Sequence, residues 1–110
     1  LALTEGLETV FAHHRLSALV APTGGLAHLT DLGMGDFHTG GFSSAAAVAG
    51  WPHLTVPMGG VPTASGVSLP AGLSFVGPAW TEGRLLNFGH AFEQAGPARA
   101  QPTFRRYSGA

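Results

Sequence analysis

Two stretches decide the fold: Ala47-Val48-Ala49-Gly50-Trp51-Pro52-His53-Leu54-Thr55-Val56-Pro57-Met58-Gly59 and Leu69-Pro70-Ala71-Gly72-Leu73-Ser74-Phe75-Val76-Gly77. In the first, an alanine-rich run from Ser43 to Ala49 favours a short helix, capped by Ser43 or Ser44. Gly50 stops it by taking a positive φ, and Pro52 holds Trp51 out of the helical region. Leu54-Thr55-Val56 is then a strand, with Pro57 expected to end it. In the second stretch, Gly72 to Val76 is another short apolar strand, broken by Gly77-Pro78. The glycine- and proline-rich residues 58–70 between them predict a turn or wide hairpin.

Working outward, residues 4–14 predict an amphipathic helix. Thr4 is its expected N-cap, and Leu7, Val10, Phe11 and His14 share one face. Ala18-Leu19-Val20-Ala21 predicts a buried strand ended by Pro22. Residues 23–42, rich in Gly, Thr and Asp, predict a long loop, and such loops inside compact domains are often functional. Downstream, residues 81–95 predict a second long helix capped by Thr81, with Leu85, Gly89 and Phe92 on one face. Gly96-Pro97 is a stop signal. The expected division is a domain portion over 1–97 and an extended tail over 98–110.

The order helix, strand, loop, short helix, strand, strand, helix is an α/β pattern. Three short apolar strands point to a mixed-sheet core flanked by helices and completed by strands outside these residues. Composition agrees. Charged residues make up 10% of the 110 residues, against about 25% in an average soluble domain. So little charge suits a surface that other protein covers. The balance of five Lys+Arg to six Asp+Glu leaves no basic patch for a phosphate backbone, which argues against nucleic acid. No run approaches the ~18 apolar residues of a membrane span. With no cysteine, a disulfide framework, a thiolate metal site and a Cys nucleophile are excluded within the chain. Leu1 stands where an initiator methionine would, so further sequence upstream is expected. The cytoplasm is the default expectation for compartment.

The two opening stretches resemble consecutive segments of the amidase signature family, of the form A-x-A-G-(Y/W)-P-x-(L/I)-T-V-P-x-G and L-P-V-G-L-S-F-(I/V)-G. Leu19-Val20-Ala21-Pro22-Thr23 resembles the family's strand D-A-L-V-A-P-T. Glu82, Leu85-Leu86 and Ala91-Phe92-Glu93-Gln94-Ala95 resemble its terminal helix. Order and spacing agree over roughly residues 16–95, and the part resembled is the C-terminal one.

This resemblance implies an amidohydrolase that converts a carboxamide to a carboxylate plus ammonia or amine through a serine acyl-enzyme. It implies a Ser–cis-Ser–Lys triad and backbone oxyanion donors in a Gly/Ser-rich signature, with no metal or organic cofactor. None of that machinery is among these residues. The cations are Arg15, Arg84, Arg99, Arg105 and Arg106, with no lysine, and no Gly-Gly-Ser-Ser-Gly-Gly run is present. No residue here is therefore assigned a catalytic role. The implied partners are the remainder of an amidase chain and a small-molecule amide. Within the family, one component of a tRNA-dependent amidotransferase is the alternative; outside it, a non-catalytic remnant or interaction domain.

Other candidate residues are few. Gly40-Gly41-Phe42-Ser43-Ser44 reads either as a flexible loop with an N-cap or as a loop lining the acyl or leaving-group pocket. On the second reading Phe42, Ser43 and Ser44 line the substrate. The six histidines are His13, His14, His28, His38, His53 and His90, and none has zinc-motif spacing. Asp31, Asp36 and His38 are close enough in sequence for a metal or acid–base cluster, although loop Asp residues usually cap turns. A Ser43–His53–Asp36 triad lacks the nucleophile elbow that would support it.

Overall fold

The computed structural model describes residues 2–28, 31–36, 40–64, 66–96 and 99–104. His38, Pro97 and most of the expected tail (98 and 105–110) lie outside the described residues. The element order is α1 (Ala2–His14), β1 (Leu19–Pro22), α2 (Ser43–Ala49), β2 (His53–Pro62), β3 (Ser68–Val76) and α3 (Glu82–Ala95). The expected α/β architecture is present as a three-stranded sheet in the order β1-β3-β2 with flanking helices. Both strand pairings within the chain are antiparallel.

The β2–β3 hairpin is longer than the sequence predicts. Pro57 does not end β2, and residues 58–70 are mostly strand, turning only around 63–67. The ladder runs from His53↔Val76 to Pro62↔Ser68, with a bulge between Pro57 and Gly59. Among the described residues β2 has a neighbour on one side only, so a proline there interrupts no ladder bond on the other side. Pro70 lies beyond the four residues of β3 that β1 covers, so it too has a free edge.

Helix ends are set by backbone contacts rather than by the expected side-chain caps. Thr4 lies inside α1. The end of α1 has Arg15 at φ 51, with Arg15 N–H on Ala12 O (3.3 Å) and Leu16 N–H on Phe11 O (2.9 Å). That is a Schellman end, and Leu16 packs with Phe11 as such ends require. Ser43 and Ser44 lie within α2, and Phe42 precedes it with no side-chain cap bond. Gly50 does stop α2 as expected, at φ 72, and Trp51 N–H returns to Ala46 O at 3.0 Å. The Thr81 hydroxyl donates to Pro78 O at 2.6 Å instead of capping α3.

Each face of the sheet has its own apolar cluster. On one, α3 lays Leu85, Phe88 and Phe92 against Leu54, Val56, Leu73 and Phe75. Gly89 lets the helix approach, since a Cβ there would meet Leu54 Cδ2 at 2.6 Å. On the other, Val76 packs with Phe11, Ala46 and Trp51 from α1, α2 and the segment after it, and the Phe11 and Trp51 rings meet edge-on at 5.0 Å. Burying a large side chain of this kind contributes about 1.5–3 kcal/mol.

The body is flat and open, 53 × 35 × 19 Å. Its radius of gyration is 17.0 Å, against about 13 Å for a compact domain of this length. Its accessible surface is 8243 Å², against about 5,700 Å² for a compact monomer of this mass. Val20, Val48, Val61 and Trp80 remain exposed.

Candidate functional site

The loop after β1 leaves and returns at one place. Thr23 N–H donates to Gly72 O at 2.8 Å, which fixes the departure to β3. Phe42 N–H donates to Thr23 O at 3.1 Å, which fixes the return. Between them Gly24 and Gly41 form an antiparallel bridge, and Gly25 N–H reaches Gly40 O at 3.3 Å. An open depression of about 290 Å³ lies over this base, lined by Ala21, Pro22, Gly24, Gly25, Gly40, Gly41 and Phe42.

Beneath the loop base lies a cluster of polar side chains. The register pairs Thr55 with Ser74 and His53 with Val76, and alternation places these four side chains on one face. Ser74 is completely buried (0% exposed). Its hydroxyl donates to Thr23 Oγ1 at 2.8 Å. His53 Nε2 lies 2.5 Å from Ser74 Oγ. His53 Nε2 and Thr23 Oγ1 are thus both hydrogen-bond partners of the one Ser74 hydroxyl. Thr23 in turn donates to Thr55 Oγ1 at 3.3 Å. Gly72 makes room for both threonines, since a Cβ there would lie 2.9 Å from Thr23 Oγ1 and from Thr55 Cγ2. The His53 ring also meets Phe42 edge-on, with centroids 6.1 Å apart.

Of the expected lining residues, Phe42 is half-buried in the wall of the depression, while Ser43 and Ser44 are exposed in the first turn of α2. The Ser43–His53–Asp36 arrangement is not assembled by any hydrogen bond among the described residues. His53 turns to Ser74, and Asp36 Oδ1 accepts from Asp31 N–H at 3.2 Å. Asp31 closes its own turn, its Oδ1 accepting from Gly33 and Met34 N–H at 2.9 Å each. The Met34 and Gly33 donors hold its carboxyl below the usual aspartate range. Among the described residues no three His, Cys, Asp or Glu come together as a metal site.

Ser74, Thr23 and Thr55 were not singled out from the sequence. The available signal was the alternation His53-Leu54-Thr55-Val56, which puts two polar residues on one face of a strand otherwise read as apolar. The Ser74 hydroxyl in the Ser74–His53 contact is fully buried.

The geometry defines a small sheet that clamps both ends of a loop. The chain is 42% identical over 53 residues to the A component of the glutamyl-tRNA(Gln) amidotransferase of Methylobacillus flagellatus, a match covering 48% of this chain and 11% of the relative. It is 49% identical over 47 residues to the chloroplastic/mitochondrial counterpart from Oryza sativa subsp. indica, covering 43% and 8%. It is 35% identical over 72 residues to a protein of Arthroderma benhamiae named "Putative amidase", covering 56% and 12%. No protein-family model and no solved structure matches the chain. The matched stretch corresponds to the C-terminal segment of amidase signature proteins, as the motifs indicate. It spans about a tenth of the length of these relatives.

No helix among the described residues is long and apolar enough to cross a membrane.

Proposed function

We propose that these 110 residues close the fold of a serine amidohydrolase that converts a carboxamide to a carboxylate plus ammonia or amine. The Ser–cis-Ser–Lys triad belongs to other residues of the same protein. The similarity to amidase-signature proteins over a stretch with no lysine is the observation that carries this reading. The open surface supports it: the excess over a compact monomer is roughly 2,500 Å², the scale of a large intramolecular or obligate interface. The remainder of the amidase chain is the occupant, because the matched relatives extend far beyond the matched segment. Phe42, with Ser43 and Ser44 beside it, lines the acyl or leaving-group pocket from the loop base. No residue of this chain exchanges protons with the substrate.

A narrower reading makes the protein one component of a glutamine-hydrolysing amidotransferase. It is favoured by the names of the two higher-identity relatives described above. Partner subunits and an aminoacyl-tRNA would then complete the reaction.

A serine-reactive probe on the intact source protein, followed by peptide mapping, tests the proposal. Label is expected outside Leu1–Ala110, together with amide hydrolysis that the probe abolishes. Label on Ser43, Ser44 or Ser74 would overturn it. Ammonia release from glutamine that depends on added partner subunits separates the amidotransferase reading from the free-standing amidase.

A further inference from the structure

We propose that His53 is a positioning residue for the Phe42 wall of the amide pocket, acting through Ser74 and Thr23. This rests on the pocket reading given above for Phe42.

Four residues from four separate segments form a closed circuit. His53 Nε2 meets Ser74 Oγ, Ser74 donates to Thr23 Oγ1, Thr23 O accepts from Phe42 N–H, and the Phe42 ring returns to the His53 ring. Thr23 uses its N–H, its C=O and its hydroxyl in the same junction. The junction lies at both ends of the excursion from Gly24 to Gly41, so the depression is built on it. His53 makes both of its contacts in the circuit with its imidazole, one by a ring nitrogen and one by the ring itself. Its imidazole therefore sets two things at once: the position of the Ser74 hydroxyl beside Thr23, and the tilt of Phe42 over the depression. The other face of the sheet is stabilised by apolar contacts with α3 and does not depend on this circuit.

Two substitutions separate the two contacts. His53→Phe keeps a ring for Phe42 and removes the hydrogen-bond partner of Ser74. His53→Gln keeps a hydrogen-bonding side chain and removes the ring. In the intact enzyme, His53→Phe is expected to raise KM for amide substrates about five-fold, the scale of one lost hydrogen bond, with kcat changed less than about two-fold. Ser74→Ala should reproduce that effect, and the double variant should add nothing to it. His53→Gln should restore KM yet shift the ranking of amides that differ in bulk. Exchange of the Phe42 amide, read by mass or NMR, should speed about five-fold in His53→Phe while α3 amides stay unchanged.

Additive effects of the two single substitutions, or an unchanged Phe42 amide, would overturn the proposal. Phe42→Ala distinguishes it from the reading beneath. If Phe42→Ala leaves the substrate ranking unchanged, the pocket assignment fails, and with it the effect on KM. If Phe42→Ala shifts the ranking and His53→Phe moves neither KM nor the Phe42 amide, only the positioning role fails.

Discussion

Ser74 and Phe75 are adjacent on β3 and face opposite sides of the sheet. Phe75 meets Phe88 and Phe92 of α3 and belongs to a cluster with Leu85, which is 2% exposed. Ser74 is buried at least as deeply, yet its neighbours are a histidine and two threonines. Burial is therefore not one condition in this protein. On the α3 side it removes apolar surface from water and stabilises the segment. On the loop side it aligns a few polar groups whose net contribution is small but whose directions are restrictive. The first holds the sheet and helix together; the second decides where the loop base lies.

The contrast is most open to attack through those two neighbours. In the intact protein, Phe75→Ala is expected to cost about 3–5 kcal/mol in chemical denaturation. Ser74→Ala should cost only about 1 kcal/mol. Equal losses would erase the distinction between the two faces. A finer test stays within α3. Gly89→Ala puts a methyl group 2.6 Å from Leu54 Cδ2 and should destabilise by about 1–3 kcal/mol. Gly83→Ala meets nothing within 4 Å and should stabilise by roughly 0.5 kcal/mol. Opposite signs in thermal melts would confirm that close approach to the sheet, rather than helix propensity, governs Gly89.

The smallest expected effect separates the tip of the loop from its base. Asp31 holds the tip by accepting from Gly33 and Met34, and those bonds hold its carboxyl below the usual range. A depressed carboxyl contributes stability above its unfolded value, about pH 4, and loses it as pH falls through the folded value. The amide resonances of Gly33 and Met34 should titrate with a midpoint below that of an unperturbed aspartate. In Asp31→Asn the titration should vanish, with the Thr23 and Phe42 amides unmoved. Movement of those two amides would show that tip and base are one unit.

The sequence reading succeeded where short-range terms act alone. Gly50 ends α2 in the left-handed region because no Cβ opposes it, as the alanine run followed by glycine predicts. Leu85 and Gly89 are buried on one face of α3, as their spacing predicts. It missed the caps and the length of the strands in the hairpin. The Thr81 hydroxyl is turned to Pro78 O and makes no cap bond to α3, and Phe42, held by Thr23 and His53, stands before α2 where a serine cap was expected, although the helix spans Ser43–Ala49 as predicted. Pro57 reads as a strand end, but among the described residues β2 has no strand on its far side and the proline costs no ladder bond there. Phe42 was legible as a lining candidate; the hydroxyl beneath it was not.

By itself, the sequence determined the element types, the resemblance of the segment to amidase signature proteins and the absence of a lysine. Local propensity and residue inventory need no tertiary contact. Only the tertiary structure decided that His53 meets Ser74, 21 residues away, and that Ser74 meets Thr23, 51 residues away. Those pairings follow from strand register and from the space that Gly72 leaves between β1 and β2. Both arise when three strands align, and neither is encoded in any single one of them.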